Sequence, residues 1–479
     1  MGYQQELKRN FRAVEIFGIA FSIMGLMPSI ASTLSFSLPA GPAGMVWSWF
    51  VASGCIFVVG LAMADLGSAY PTSGALLVMA SNGAIQPSSR IIYAVFLACV
   101  LSHGVLASTS SKFMGRLLYL FIFLNVALIL ATLVALAVGR AGQRNGALFI
   151  FAEVDNLTAW PTGWAFMLAW LSPIWTIGSF DACVYMSEEA SNAAKAVPMG
   201  ILSSIGMCWG LGFIIVIVLA HCISPDIESI LHSRFGQPMA QIYYDALGKQ
   251  GALGFTAFLF VVQYFMGLSI CVAASRQVWA FSRDGALPFS RLIRPVSKRF
   301  GHVPVRAIWA CVLVASVFGL LSLVAPAAAS AVFSLCIAGD NLAWCIPILA
   351  RAVWGRAKFA PGPFYTGRRC SVPIAWAAVA FLLFGIVLAM FPPGGPAPAR
   401  EDMNYCVVVN AAVWGGASLY YFLDARKWFR GPGGALAAAE EEEDGEAIEG
   451  EAAGYIVPSG EVEKGRRAGT NISQGDGVS

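Results

Sequence analysis

Apolar residues recur along this chain in long, nearly unbroken runs joined by short polar stretches. Eleven runs are long enough, or nearly so, to cross a bilayer as helices, which takes about 20 residues each. They cover residues 14–34, 45–66, 91–109, 117–138, 164–186, 199–221, 253–281, 305–324, 329–350, 372–391 and 405–423. Several hold Gly, Pro or Ser at mid-length, which membrane helices tolerate when neighbours satisfy the freed backbone groups. The pattern predicts an all-α polytopic membrane protein.

Composition agrees. Only 12% of residues are charged, about half the usual share of a soluble chain, so a globular enzyme with a single anchor is excluded. The net charge of +3 gives no basis for a nucleic-acid partner, and none is expected. The eleven cysteines are scattered, mostly inside apolar runs, and the four histidines lie far apart. No zinc-type spacing occurs, so neither metal nor cofactor is expected. Residues 1–12 are polar and basic, without the apolar core of a cleaved signal peptide.

Positive charge sets the orientation. With the N-terminus in the cytoplasm, outside loops hold six of the 30 Lys and Arg residues: Arg90, Arg140, Arg144, Arg234, Lys249 and Arg400. Cytoplasmic regions hold the dense clusters at 276–306 and 351–369. Basic residues are retained on the cytoplasmic side during insertion, which supports this topology. It requires one additional crossing between Leu66 and Ile91, because Lys112 and Arg116 then fall in the cytoplasm. Three regions are expected: a cytoplasmic N-terminus at 1–13, a membrane domain at 14–430, and a disordered acidic cytoplasmic tail at 431–479 carrying Glu440 to Asp444. The sequon Asn156-Leu157-Thr158 falls in an outside loop open to glycosylation, whereas the one at Asn471 falls in the tail.

Two runs are interrupted in a way that suits transport. In the first, Gly25 and Pro28 stand three residues apart in Ser22-Ile23-Met24-Gly25-Leu26-Met27-Pro28-Ser29; in the fifth, Pro173 and Gly178 precede Asp181. A helix broken at bilayer depth leaves unpaired N–H groups at one half-helix end and unpaired C=O groups at the other, able to hold the carboxylate and amine of a zwitterion. A plain packed kink is the alternative. Asp181 favours the first reading, since a carboxylate in a span costs about 2.5–3.5 kcal/mol on insertion scales. It is a candidate proton carrier or partner for a substrate amine. Asp65 and Glu188–Glu189 sit at helix ends near water, where gating and simple solvation are both open. Asp340-Asn341 is a second polar pair in an apolar run and has no assigned role. No P-loop, H-E-x-x-H or nucleophile-elbow motif occurs in a fitting context, so the chain is not expected to be an enzyme.

The run Phe17-Gly18-Ile19-Ala20-Phe21-Ser22-Ile23-Met24-Gly25-Leu26 resembles the first helix of fungal amino acid permeases of the GABA and choline type. These are members of the amino acid–polyamine–organocation superfamily. Further similar stretches follow in order: Gly41-Pro42-Ala43-Gly44, Tyr70-Pro71-Thr72-Ser73-Gly74, Ser187-Glu188-Glu189-Ala190-Ser191-Asn192-Ala193, and Arg283-Asp284-Gly285-Ala286-Leu287-Pro288. The resemblance implies a five-plus-five inverted-repeat transporter fold. It implies proton-coupled uptake of an amino acid or GABA-like amine by alternating access. Ser22, Ile23, Met24, Gly25, Ile177, Gly178, Ser179, Phe180 and Asp181 would face substrate, with Asp181, Asp65 and Glu188 as coupling or gating candidates. The implied partners are a small-molecule substrate, a proton and the bilayer. The plasma membrane is the expected location, the vacuolar membrane the alternative.

One departure stands out. Only 75–90 separates Gly74 from Ile91, so the family's third helix is missing, giving about eleven spans instead of twelve. Either residues 72–88 cross as a short, weakly apolar segment, with Leu76-Leu77-Val78-Met79 its best part, or the topology is frustrated. A non-transporting relative, a sensor or an inactive truncated product, is therefore the alternative function.

Overall fold

The computed structural model describes residues 13–69, 89–109, 111–233, 235–297, 303–323, 326–355, 359–398, 404–427 and 429. The expectations about the first residues, the 72–88 crossing and the 431–479 tail fall outside them. Helices dominate. Among the described residues no strand forms, and an isolated bridge joins Ser297 to Val303. Eight stretches are long and apolar enough to cross a membrane, the first of them, Ala13–Leu66, holding three helices; Tyr93–Ala107 and Val305–Gly319 are shorter apolar helices. Each of the eleven apolar runs coincides with helix.

In chain order the helices are α1 Ala13–Met24, α2 Leu26–Ser37, α3 Gly41–Ala69, α4 Ser89–Ala107, α5 Ser111–Gly139, α6 Ala147–Phe151, α7 Thr162–Leu168, α8 Leu171–Thr176, α9 Ala182–Tyr185 and α10 Ala193–Cys222. They continue with α11 Ile227–Leu231, α12 Pro238–Arg283, α13 Ser290–Ile293, α14 Val305–Gly319, α15 Pro326–Val353, α16 Ser371–Leu388 and α17 Cys406–Leu423. Helix α12 is interrupted at Gly248, where φ is 67°.

Contacts between helix ends sort the bundle into two faces. At one face, Tyr119 near the start of α5 donates to Glu15 near the start of α1 at 2.9 Å. At the other, the start of α3 meets the loop after α6, where Ala43 N–H donates to Glu153 O at 3.3 Å. The end of α5 is tied there to the end of α10 through Arg140, which donates to Cys222 O at 2.9 Å. Asn156 lies on this second face in a tight turn: its amide donates to Trp160 O at 2.7 Å, and its Oδ1 accepts from the Thr158 hydroxyl at 2.7 Å. The sequon's asparagine is thus committed to the fold of the loop.

Helix α3 leaves this second face and ends at the first. There Asp65 accepts from Thr366 N–H at 3.1 Å, Thr366 Oγ1 at 2.8 Å, Ser371 Oγ at 2.7 Å and the Arg351 guanidinium at 3.2 Å. Asp65 is fully buried, so of the two readings left open for it, simple solvation does not hold. Four donors replace its water shell, and the carboxylate clamps the ends of α3 and α15 to the start of α16.

Helix α4 runs against α14: Tyr93 donates to Ser316 O at 3.2 Å, while Gly104 faces Val312 and Trp309. It ends at the first face, three residues before α5 begins. Ala69 and Ser89 therefore lie at opposite ends of the bundle, joined through 70–88.

Close packing of α3 on α10 forms much of the interior. A Cβ on Gly212 of α10 would overlap the buried Trp49 ring of α3, so the small residue permits the approach, as at other membrane helix interfaces. Gly212→Leu should destabilise the folded chain by about 1–3 kcal/mol through overpacking, read as a lower Tm in detergent. An unchanged Tm would contradict this packing.

Candidate functional site

Both predicted interruptions are real breaks. Between α1 and α2, Gly25 adopts φ 45°, ψ 60°, a left-handed conformation open to glycine at little cost. A Cβ there would also lie 2.6 Å from Met266 Sδ of α12, so any side chain would have to push that methionine aside as well. Pro28 falls in the first turn of α2, where its missing N–H removes no helical bond. The side chain of Ser29 closes the break by donating to Met24 O at 2.6 Å. The first N–H groups of α2, at Leu26 and Met27, have no acceptor within their own helix.

The second break lies between α8 and α9. Helix α8 stops at Thr176, and Gly178–Asp181 form a 3-10 turn in which Ser179 leaves helical geometry at φ −89°, ψ 23°. Asp181 accepts hydrogen bonds from the Tyr185 hydroxyl and, at 2.9 Å, from Trp344 Nε1 of α15. Phe180 packs on the same Trp344, ring centroids 4.5 Å apart. The two broken elements are joined by Thr33 and Ser172, whose hydroxyls lie 2.7 Å apart.

A cavity of about 50 Å³ opens where the breaks meet. Of the nine residues expected to face substrate, Ile23, Met24, Ser179 and Asp181 line it. The other five stand behind the wall. Ser22 pairs with Ser269 of α12 at 3.1 Å, Gly25 is covered by Met266, Gly178 faces Trp344, Phe180 stacks on Trp344, and Ile177 is buried. Residues not assigned from sequence share the lining, among them Ser29 from α2, Tyr185 from α9, Met266 and Ile270 from α12, and Cys336 and Asp340 from α15. Asp340 announced itself as a carboxylate in an apolar run; the α12 residues carry no signal that separates them from ordinary span residues. The described lining holds two carboxylates and no Lys, Arg or His.

Below the cavity, towards the first face, Arg276 of α12 donates from Nε to Glu189 at 3.0 Å, and from Nη1 to Ser275 Oγ at 3.1 Å. Both side chains of the ion pair are 3% exposed, so Glu189 is no solvated helix end. Glu188 lies in the same 3-10 turn, Ser187–Glu189; its side chain is outside the described residues. Asp65 is absent from the described cavity lining and belongs to the clamp at the first face.

Paired breaks in an all-helical membrane bundle, meeting at an acidic cavity, define a carrier of small molecules rather than an enzyme. The amino acid permease family profile matches residues 75–413. The GABA-specific permease of Saccharomyces cerevisiae is 41% identical, over 90% of this chain and 84% of its own length. An uncharacterized amino-acid permease of Schizosaccharomyces pombe is 31% identical, over 90% and 88%. Amino-acid permease 2 of Neurospora crassa is 27% identical, over 90% and 88%. The chain belongs to the amino acid permease family, and amino acid transport across a membrane is its function. The first of these matches extends over 482 aligned positions. Ninety per cent of 479 residues is about 431, so roughly 50 aligned positions have no counterpart here.

Removing one partner of a buried ion pair strands a charge, at a cost of about 3–5 kcal/mol, whereas removing both costs far less. Glu189→Ala or Arg276→Ala alone should sharply reduce folded protein in fluorescence-detected size-exclusion chromatography. The double variant should recover part of the loss. Single variants that fold as well as the parent chain would contradict a buried pair.

Proposed function

We propose that this chain is a proton-coupled importer of GABA-like amino acids or related amines, working by alternating access in the plasma membrane. The observation that carries the proposal is the meeting of two backbone breaks at one cavity whose described charges are carboxylates. An amino acid brings one positive and one negative end. Carboxylates suit the ammonium. The unpaired N–H groups and positive dipole end of α2 suit the carboxylate without any basic side chain. The GABA specificity named for the 41% identical yeast relative supports this substrate class. In this proposal α1–α2 and α7–α9 are the equivalent broken helices of a five-plus-five inverted repeat within residues 14–430, flanked by cytoplasmic segments 1–13 and 431–479.

Asp181 is the proposed coupling acid. It sits on the broken segment itself, touches α15 through Trp344, and lines the cavity, so gaining or losing a proton there changes contacts between moving parts. Asp65 and the Glu188–Glu189 turn are placed to act at the cytoplasmic face: the first as a fixed clamp, the second beside a pair that must loosen if the inner end opens.

A second reading has its own support. About 50 aligned positions are lacking, and 70–88 must connect opposite faces; both fit a chain that has lost its third helix. If that helix is needed to wall the pathway, this chain is a non-transporting relative.

The test is uptake of labelled GABA and amino acids in permease-deficient yeast, beside a version with a relative's third helix inserted after Gly74, with surface expression matched. Uptake by the native chain should rise as external pH falls, collapse with a protonophore, and become flat with pH in Asp181→Asn. Uptake indifferent to pH and protonophore would end the coupling proposal. Transport by the restored version alone would establish the second reading.

A further inference from the structure

The cavity has two carboxylates, and their surroundings differ. Asp181 gives its Oδ2 to two donors, the Tyr185 hydroxyl and the Trp344 indole. That oxygen is spoken for by the protein, and the bonds hold the second break against α15. Asp340 lies one helical turn before Trp344 and one after Cys336, so all three occupy one stripe of α15. Its hydrogen-bond partner among the described residues is the Cys336 thiol, at 3.7 Å, a weak donor. A half-buried carboxylate facing a largely apolar cavity with so little compensation is the group there that most needs a cation.

We infer that Asp340 is the residue that receives the ammonium head of the substrate, while Asp181 holds the broken helix. This rests on the reading of the chain as a carrier of amino acids or amines, and it adds a specificity-determining residue from α15 to the two broken helices. The cavity is bounded by Met24 and Ser29 beside the first break as well as by Asp340. The inference puts the ammonium of a zwitterion at Asp340 and its carboxylate towards the first break. An organic acid lacking the amine leaves Asp340 unanswered, and a basic side chain in place of the ammonium's neighbour is not needed for discrimination.

The experiment is binding of tritiated GABA to the full chain purified into nanodiscs, with n-butylamine and butyrate as competitors and thermal unfolding as a check on folding. In the parent chain n-butylamine should displace the label. Asp340→Asn should weaken GABA binding roughly tenfold or more, the scale of a lost charge-assisted hydrogen bond, and should abolish displacement by n-butylamine while letting butyrate compete at least as well as it does in the parent. Asp340→Glu should restore amine competition in part, which a purely structural role would not require. Asp181→Asn should keep n-butylamine competition even where its unfolding temperature drops. If Asp340→Asn binds GABA and n-butylamine as the parent does, the inference is overturned; it is overturned equally if Asp181→Asn alone loses amine competition. A parent chain that binds neither GABA nor n-butylamine removes the amine-carrier reading itself.

Discussion

A membrane interior offers no water to an unpaired peptide group, and each one left in lipid costs several kcal/mol. That constraint explains why the two breaks at Gly25 and 177–181 lie where they do. Both are enclosed by other helices. Met266 covers the first from α12, Trp344 covers the second from α15, and the Thr33–Ser172 contact joins them. The long helices α3 and α10, packed so closely that Gly212 leaves no room for a Cβ, supply a scaffold that does not depend on the broken pieces for its own backbone bonds. The result is irregular backbone at depth, facing a cavity instead of lipid.

Charge follows the same rule. Asp65 is satisfied by four donors, Glu189 and Arg276 satisfy each other, and Asp181 is bonded to Tyr185 and Trp344. Structural charges in this bundle are thus compensated within the protein; Asp65 ties the ends of α3 and α15 to the start of α16, and Asp181 ties the second break to α15. Asp340 is the exception among the described carboxylates of the cavity. Its local cost makes sense when a ligand answers it, which is the usual meaning of an ionisable group left exposed to an internal pathway.

Much of this was legible in the sequence for physical reasons. Runs of about 20 apolar residues mark helices whatever their partners, and Gly25 with Pro28 marks a break because backbone chemistry alone makes it one. The direction of Asp65 was not legible: its donors, Thr366, Ser371 and Arg351, lie about 300 residues away, and near a helix end a carboxylate is as consistent with water as with a clamp. The supporting half of the site escaped for a similar reason. The family resemblance implies that Ser22 and Phe180 face substrate, but side-chain direction there depends on which neighbour, Ser269 or Trp344, takes the contact. Met266 and Ile270 are chemically ordinary residues that matter through placement. The crossing expected at 72–88 lies outside the described residues.

The central claim is that the two breaks enclose one cavity that admits substrate. It is tested most directly by placing single cysteines at Ser29, Ser179 and Ile177 in a chain whose native cysteines are replaced, then labelling with a small water-soluble thiol reagent in membranes. Labelling at Ser29→Cys and Ser179→Cys, slowed by GABA, with Ile177→Cys inert, is the predicted result. Equal inertness at all three positions, or labelling that GABA leaves unchanged, would contradict the account.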